Sequence, residues 1–174
     1  MSLQTTIQQF ITEGKKAELL FASMAEEQGY EAIPASKMAN AIEHWDYLIK
    51  KESKVLKIEV KGLKRFSRHY SPLYMEDYTW VELHGVTKNN NGWLYGKADL
   101  VAFETKNSFI LVPTEDILNL TLQKTNGQNP SFTLTTPQDM LYKKYTRGID
   151  RCDIIVLVAM RHSRQLMLYE WMKN

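Results

Sequence analysis

The chain has 174 residues, 44% of them hydrophobic, which excludes global disorder and is enough for one core but short for two, so a single domain over residues 1–174 is expected. Twenty-two Lys and Arg against twenty Asp and Glu leave a net charge of +2, so any footprint for nucleic acid must be local rather than a global field. Cys152 is the only cysteine, which excludes an intrachain disulfide, and no apolar run approaches the ~20 residues that span a bilayer; a cytoplasmic protein with no membrane partner is expected.

Thr6 and Gln9 have capping-box spacing, and Ile7, Phe10 and Ile11 follow before Gly14 weakens this first helical segment. Ala17, Leu20, Phe21 and Met24 then recur at helical spacing, with Glu18 beside the stripe and Gly29 placed to end the helix. Residues 34–43 read as a loop or turn-rich connection. Residues 44–49 read as a strand with Trp45, Tyr47 and Ile49 on one side and His44, Asp46 and Leu48 on the other. The next strand, 55–61, directs Leu56, Ile58 and Val60 to one face and Lys57, Glu59 and Lys61 to the opposite one, and the short segment between the two predicts a hairpin.

Residues 62–77 form a basic, aromatic connection. Strand character returns at 78–84 and 93–104, with a turn signal at Asn89 to Gly92 between them. A short strand is expected at 109–112, a helix from Thr114 through Leu122, and a turn at 125–130. Thr136 and Pro137 supply an N-cap and first-turn proline for a helix to about Tyr145. Residues 154–159 read as a buried strand, and 166–171 as a last strand or helix. This order predicts an α/β fold with a central mixed sheet and flanking helices.

The chemistry concentrates near the hairpin. Alternation puts Glu59 and Lys61 on one strand face, and the neighbouring strand can bring Asp46 beside them. Asp46 and Glu59 offer the oxygen ligands that a hard divalent ion such as Mg²⁺ prefers, with water and a substrate phosphate completing its shell. Lys61 can orient an attacking water or offset charge at a phosphate. Glu18 can approach from the helix and bind the metal through water. Lys57, Lys61, Lys64, Arg65, Arg68 and His69 make the best basic cluster, followed by Lys143, Lys144, Arg147 and Arg151. Of these, Lys64, Arg65, Arg68 and His69, just past Lys61, are the expected nucleic-acid contacts. Taken singly, each acid and lysine is an ordinary solvated charge; the ordered combination sets them apart. Glu82 is a candidate auxiliary acid or a partner for a basic neighbour, Asp99 reads as strand-start structure, and the four histidines show no zinc spacing.

Glu18, then Trp45-Asp46, then Ile58-Glu59-Val60-Lys61-Gly62 resembles the restriction-endonuclease-like superfamily, described by its PD-(D/E)xK motif, and looks especially like small phage or prokaryotic nucleases and Holliday junction resolvases. The resemblance runs from Gly14 to Gly62, with Trp45 standing where the motif has proline. It implies a helix acid at Glu18, metal ligands at Asp46 and Glu59, a catalytic lysine at Lys61, Mg²⁺ (with Mn²⁺ as a substitute) as cofactor, and DNA phosphodiester hydrolysis. A palindrome or junction cutter of this kind would act as a homodimer. Two alternatives stand beside this expectation: a noncatalytic nucleic-acid-binding or assembly protein on the same scaffold, and a hydrolase of a small phosphate compound.

Overall fold

The computed structural model describes residues 3–67, 74–85, 90–148 and 151–174, with side chains from residue 12 onward. In chain order these form α1 (Leu3–Glu27), β1 (Glu31–Pro34), α2 (Lys37–Glu43), β2 (Tyr47–Lys51), β3 (Lys54–Lys61), β4 (Tyr78–His84), a 3₁₀ turn (Trp93–Tyr95), β5 (Leu100–Glu104), β6 (Ser108–Pro113), α3 (Thr114–Thr125), α4 (Pro137–Met140), β7 (Lys144–Tyr145), β8 (Ile154–Ala159), α5 (Met160–Leu166) and β9 (Tyr169–Met172). Six strands make a mixed sheet in the order β1-β2-β3-β5-β6-β9, in which only β3 and β5 run parallel. A second, antiparallel sheet has the order β4-β8-β7. The α/β class and the mixed sheet with flanking helices match the expectation from the sequence. Among the described residues no helix is long and apolar enough to cross a membrane.

The mixed sheet is apolar on both faces because each is covered. On one face α1 lays Ala17, Phe21, Met24 and Ala25 against Tyr47, Ile49, Ile58, Val60, Leu100, Ala102, Phe109, Leu111 and Trp171. Phe21 is the centre of this layer, stacked on Trp171 at 5.4 Å and edge-on to Phe109 at 5.5 Å. On the other face Val101, Phe103, Ile110 and Val112 meet Val81, Leu83, Val156 and Val158 of the second sheet, with Ile117, Trp93 and Leu94 closing the layer. Strands buried on both sides lose polar alternation, which is why β5 and β6 read as continuous apolar runs.

Four stretches differ from the expectation. The helix does not break at Gly14 but runs unbroken from Leu3 to Glu27, the packed stripe outweighing the roughly 1 kcal/mol cost of an interior glycine. It ends where predicted: Gly29 is left-handed at φ 81°, and the Tyr30 N–H donates back to Ala25 O at 2.9 Å. The stretch expected as loop holds the end of β1 and all of α2, whose N-cap Ser36 accepts from the Ala39 N–H at 3.1 Å. Residues 93–104 are a 3₁₀ turn followed by β5 rather than one strand, and the helix capped by Thr136 stops after one turn at Met140.

Gly92 joins β4 to the 3₁₀ turn by backbone contact. Its N–H donates to Leu83 O at 3.0 Å, and a Cβ here would lie 2.1 Å from Glu82 O and 2.5 Å from Glu82 C. Gly92→Ala is therefore expected to destabilise the protein by roughly 1–3 kcal/mol, because the clash is with backbone that cannot rotate away. Thermal unfolding should register this as a lower midpoint by several degrees, and an unchanged midpoint would mean that the turn can shift at no cost.

Candidate active site

Asp46 lies just before β2, and its backbone N–H already donates to Ile58 O at 2.7 Å as the pairing of β2 with β3 begins. Its Oδ2 accepts the Val60 N–H at 2.7 Å, so the side chain takes the place of a backbone acceptor in the ladder. Its Oδ1 accepts from Asn40 Nδ2 of α2 at 2.5 Å. Two bonds thus fix the carboxylate, which is 9% exposed, beside Glu59. Burial, then the charge of Glu59, push the Asp46 carboxyl up to about 6, against the lowering effects of the Val60 N–H, Lys61 and Asn40.

Ile58 and Val60 enter the layer under α1, so Glu59 and Lys61 emerge on the opposite face of β3. Glu59 is 5% exposed and its Oε1 accepts from Lys61 Nζ. The ammonium also sits 4.8 Å above the Trp93 ring. Burial works against the Lys61 charge, but Glu59, Asp46 and Glu82 outweigh it and hold its pKa above the ordinary lysine value. Past Lys61, Glu104 Oε2 accepts the Leu63 N–H at 3.0 Å and ties the exit of β3 to β5.

A second polar layer faces this one from β4 and the end of β7. Glu82 feels the charges of both Lys61 and Arg147, and burial pushes its carboxyl up. Arg147 Nη2 is 3.9 Å from Glu82, and its Nε donates to Asp153, which is fully buried. Among the described residues, then, four carboxylates (Asp46, Glu59, Glu82 and Asp153) face two cations (Lys61 and Arg147). Two negative charges go uncompensated when all are ionised.

The structure brings Asp46, Glu59 and Lys61 together as the strand pattern anticipates. Glu18 is on α1 with its Oε2 accepting from Lys15 at 2.8 Å, and the described residues contain no group of three or more acids, histidines or cysteines placed to hold one ion. Arg65 is committed internally, to Glu13 at 2.9 and 3.2 Å and to the Tyr74 ring at 4.5 Å, pinning the connection after β3 onto α1. Lys64 is half-buried in the same connection, and its backbone O accepts the Met75 N–H at 2.7 Å. Arg68 and His69 lie outside the described residues. Asp99 is structural, as expected: its Oδ2 accepts the Lys57 N–H at 2.7 Å and its own N–H donates to Lys57 O at 2.8 Å, starting the parallel pairing of β5 with β3. Lys57 of the basic cluster is spent on Glu43 at 3.1 Å, which also accepts from Lys97 and the Trp45 indole; these bonds bring its carboxyl down to about 2.

Asn40, Trp93 and the pair Arg147–Asp153 were not singled out from sequence as parts of this site. Ser36 as an N-cap was the available signal for α2, and hence for Asn40. Arg147 belongs to the second basic cluster, Lys143 to Arg151, but nothing local places it at this site, and nothing local marks Trp93 or Asp153.

The carboxylate oxygens of Asp46 and Glu59, with excess negative charge among the described residues around them, fit a hard divalent cation, with remaining positions left to water and substrate. Without the ion, native Asp46 binds its proton more tightly than the unfolded chain does, with a carboxyl at about 6 against the ordinary 3.8. Stability should therefore fall as pH rises from about 4 to about 6 and stay lower above that, by on the order of 3 kcal/mol. Asp46→Asn removes this charge while Asn40 can rotate its amide to stay bonded, so the metal-free variant is expected to unfold a few degrees higher than wild type at pH 7.5. Added Mg²⁺ or Mn²⁺ should raise the wild-type midpoint and leave the variant unmoved. A variant less stable than wild type without metal would contradict this account of Asp46.

No family model matches the chain, and no curated protein matches it. Its backbone is similar to that of a bacterial homing endonuclease, I-Ssp6803I, with a TM-score of 0.47 and 13% identity over 62% of this chain and 71% of that one. The functional reading rests on the geometry of the site.

Proposed function

We propose that this chain is a divalent-metal-dependent deoxyribonuclease that hydrolyses DNA phosphodiester bonds at Asp46, Glu59 and Lys61. The observation that carries the reading is the meeting of these three side chains at the open end of the β2–β3 hairpin, with negative charge left over. The choice of a PD-(D/E)xK nuclease, and of DNA over RNA, is what the resemblance of Glu18, Trp45-Asp46 and Ile58 to Gly62 to that superfamily implies.

Asp46 and Glu59 would hold Mg²⁺, with Mn²⁺ as a substitute, and Glu18 would reach its hydration shell only through water. The ion, when bound, would stabilise charge on the transferring phosphoryl group and lower the pKa of water. Asp46 is kept in place by Val60 and Asn40, so the carboxylate does not have to be reorganised when the ion arrives. Lys61 holds its proton more tightly than a free lysine, which suits an ammonium that orients the attacking water and offsets charge at the scissile phosphate, and does not suit a general base. Below pH ~6, protonation of Asp46 competes with the ion, so metal affinity should weaken there. Lys64, Arg68 and His69 are the proposed contacts to the flanking backbone. Cutting both strands of a duplex would call for two copies of the chain, one site for each strand.

The test is time-resolved cleavage of labelled single-stranded, duplex, nicked and four-way-junction DNA in Mg²⁺ or Mn²⁺, beside a chelator control. Glu59→Gln and Lys61→Ala are each expected to slow product formation at least about a hundredfold, the scale on which loss of one transition-state contact is felt. Binding without wild-type cleavage on any of these substrates would instead favour a noncatalytic nucleic-acid-binding protein.

A further inference from the structure

We propose that Arg147 is a phosphate-binding residue of this site, clamping a backbone phosphate of the nucleic acid on the wall opposite Lys61, and that Asp153 is the residue that positions it. The proposal rests on the nuclease reading for its substrate, and the experiment below separates the two.

A guanidinium that serves only to neutralise a carboxylate usually meets it with two parallel N–H donors, satisfying both oxygens. Arg147 does not do this. Its Nε alone donates to Asp153 Oδ2, while Asp153 Oδ1 is buried with no hydrogen-bond partner among the described residues. Among the described residues the Nη donors make no hydrogen bond; Nη2 is 3.9 Å from Glu82, a charge contact too long for one. The side chain is 30% exposed, although the carboxylate that anchors it is 0% exposed. Burying a carboxylate for the sake of one bond is costly, and the return is a guanidinium fixed in direction with its fork open. Glu82 relates this fork to the chemistry, because the charges of Lys61 and of Arg147 both act on it. The two cations therefore flank Glu82 from opposite walls of the site, and a planar, bidentate donor is the group best matched to phosphate oxygens there.

Binding of a fluorescent duplex would be followed in chelator across a salt series for wild type, R147Q, R147K, D153N, R147Q/D153N and K54Q. Lys54 lies at the opposite end of β3 from Lys61 and serves as the control. The double variant guards against R147Q misfolding around an unpaired Asp153. R147Q and R147Q/D153N are expected to bind several-fold to tenfold more weakly with a salt slope shallower by about one, and K54Q to match wild type. R147K should keep the slope while losing affinity, since it keeps the charge but not the fork. D153N should weaken binding with the slope unchanged; D153N as tight as wild type would remove its positioning role. A double variant with wild-type affinity and slope overturns the proposal even if wild type cleaves in Mg²⁺, leaving the nuclease reading intact. Arg147-dependent binding without wild-type cleavage would keep the clamp and remove the nuclease. A wild-type protein that binds no DNA would remove both.

Discussion

The hydrogen bond from the Val60 N–H to Asp46 Oδ2, 2.7 Å long, is the contact on which the site depends. It uses a side chain to complete the ladder between two strands, so the register of β2 on β3 and the position of the carboxylate are one and the same constraint. A slip of one residue would send Ile58 and Val60 out of the layer under α1 and turn Glu59 and Lys61 into it. The apolar packing that holds α1 on the sheet therefore also holds the acid beside the acid-x-Lys unit. Asn40 adds a second tether from α2, itself docked where Gly96 lets the chain pass: a Cβ there would come 2.6 Å from His44 Cβ.

The two hydrophobic layers explain why charge can be concentrated at this edge. β5 and β6 are sealed on both faces, and Lys61 pairs in register with Phe103 in the middle of that apolar structure. Trp93 brings an aromatic face over the ammonium from the turn that follows β4. The low-dielectric surroundings raise the Asp46 and Glu82 carboxyls and strengthen every interaction among the groups that remain charged. Burial that is unfavourable for ionised carboxylates in the metal-free chain is the same burial that would make a divalent ion bind strongly between them.

What could be read from the sequence was local and periodic. The alternation in Val55-Leu56-Lys57-Ile58-Glu59-Val60-Lys61 requires one buried face, so β3 and the shared face of Glu59 and Lys61 follow from it, and the hairpin then places Asp46. Asp99 as strand-start structure was likewise legible. Gly14 misled because helix propensity is a small term beside the burial of Ala17, Phe21 and Met24 further along. Pro34 to Ser36 looked like punctuation of a loop, yet Pro34 ends an edge strand, where its missing N–H costs nothing, and Ser36 caps a helix. Trp93 comes from the turn after β4, Arg147 from just past β7 and Asp153 from just ahead of β8, and no spacing within their own segments announces that they will gather near Lys61.

The second sheet thus has more to do than cover the first. Val81 and Leu83 point into the shared core, so alternation turns Glu82 out of it, and the pairing of β4 with β8 sets Asp153 just ahead of Ile154, opposite His84. The register of β4 on β8 shifts between Glu82 and His84, and Gly92 packs closely against the Glu82 carbonyl. The cations that share Glu82 come from two different sheets, Lys61 on β3 and Arg147 after β7, so the site is complete only when the two sheets are packed. Any change that loosens the layer of Val101, Phe103, Val156 and Val158 should separate these charges before it disturbs the β2–β3 hairpin, because the hairpin is secured independently by α1.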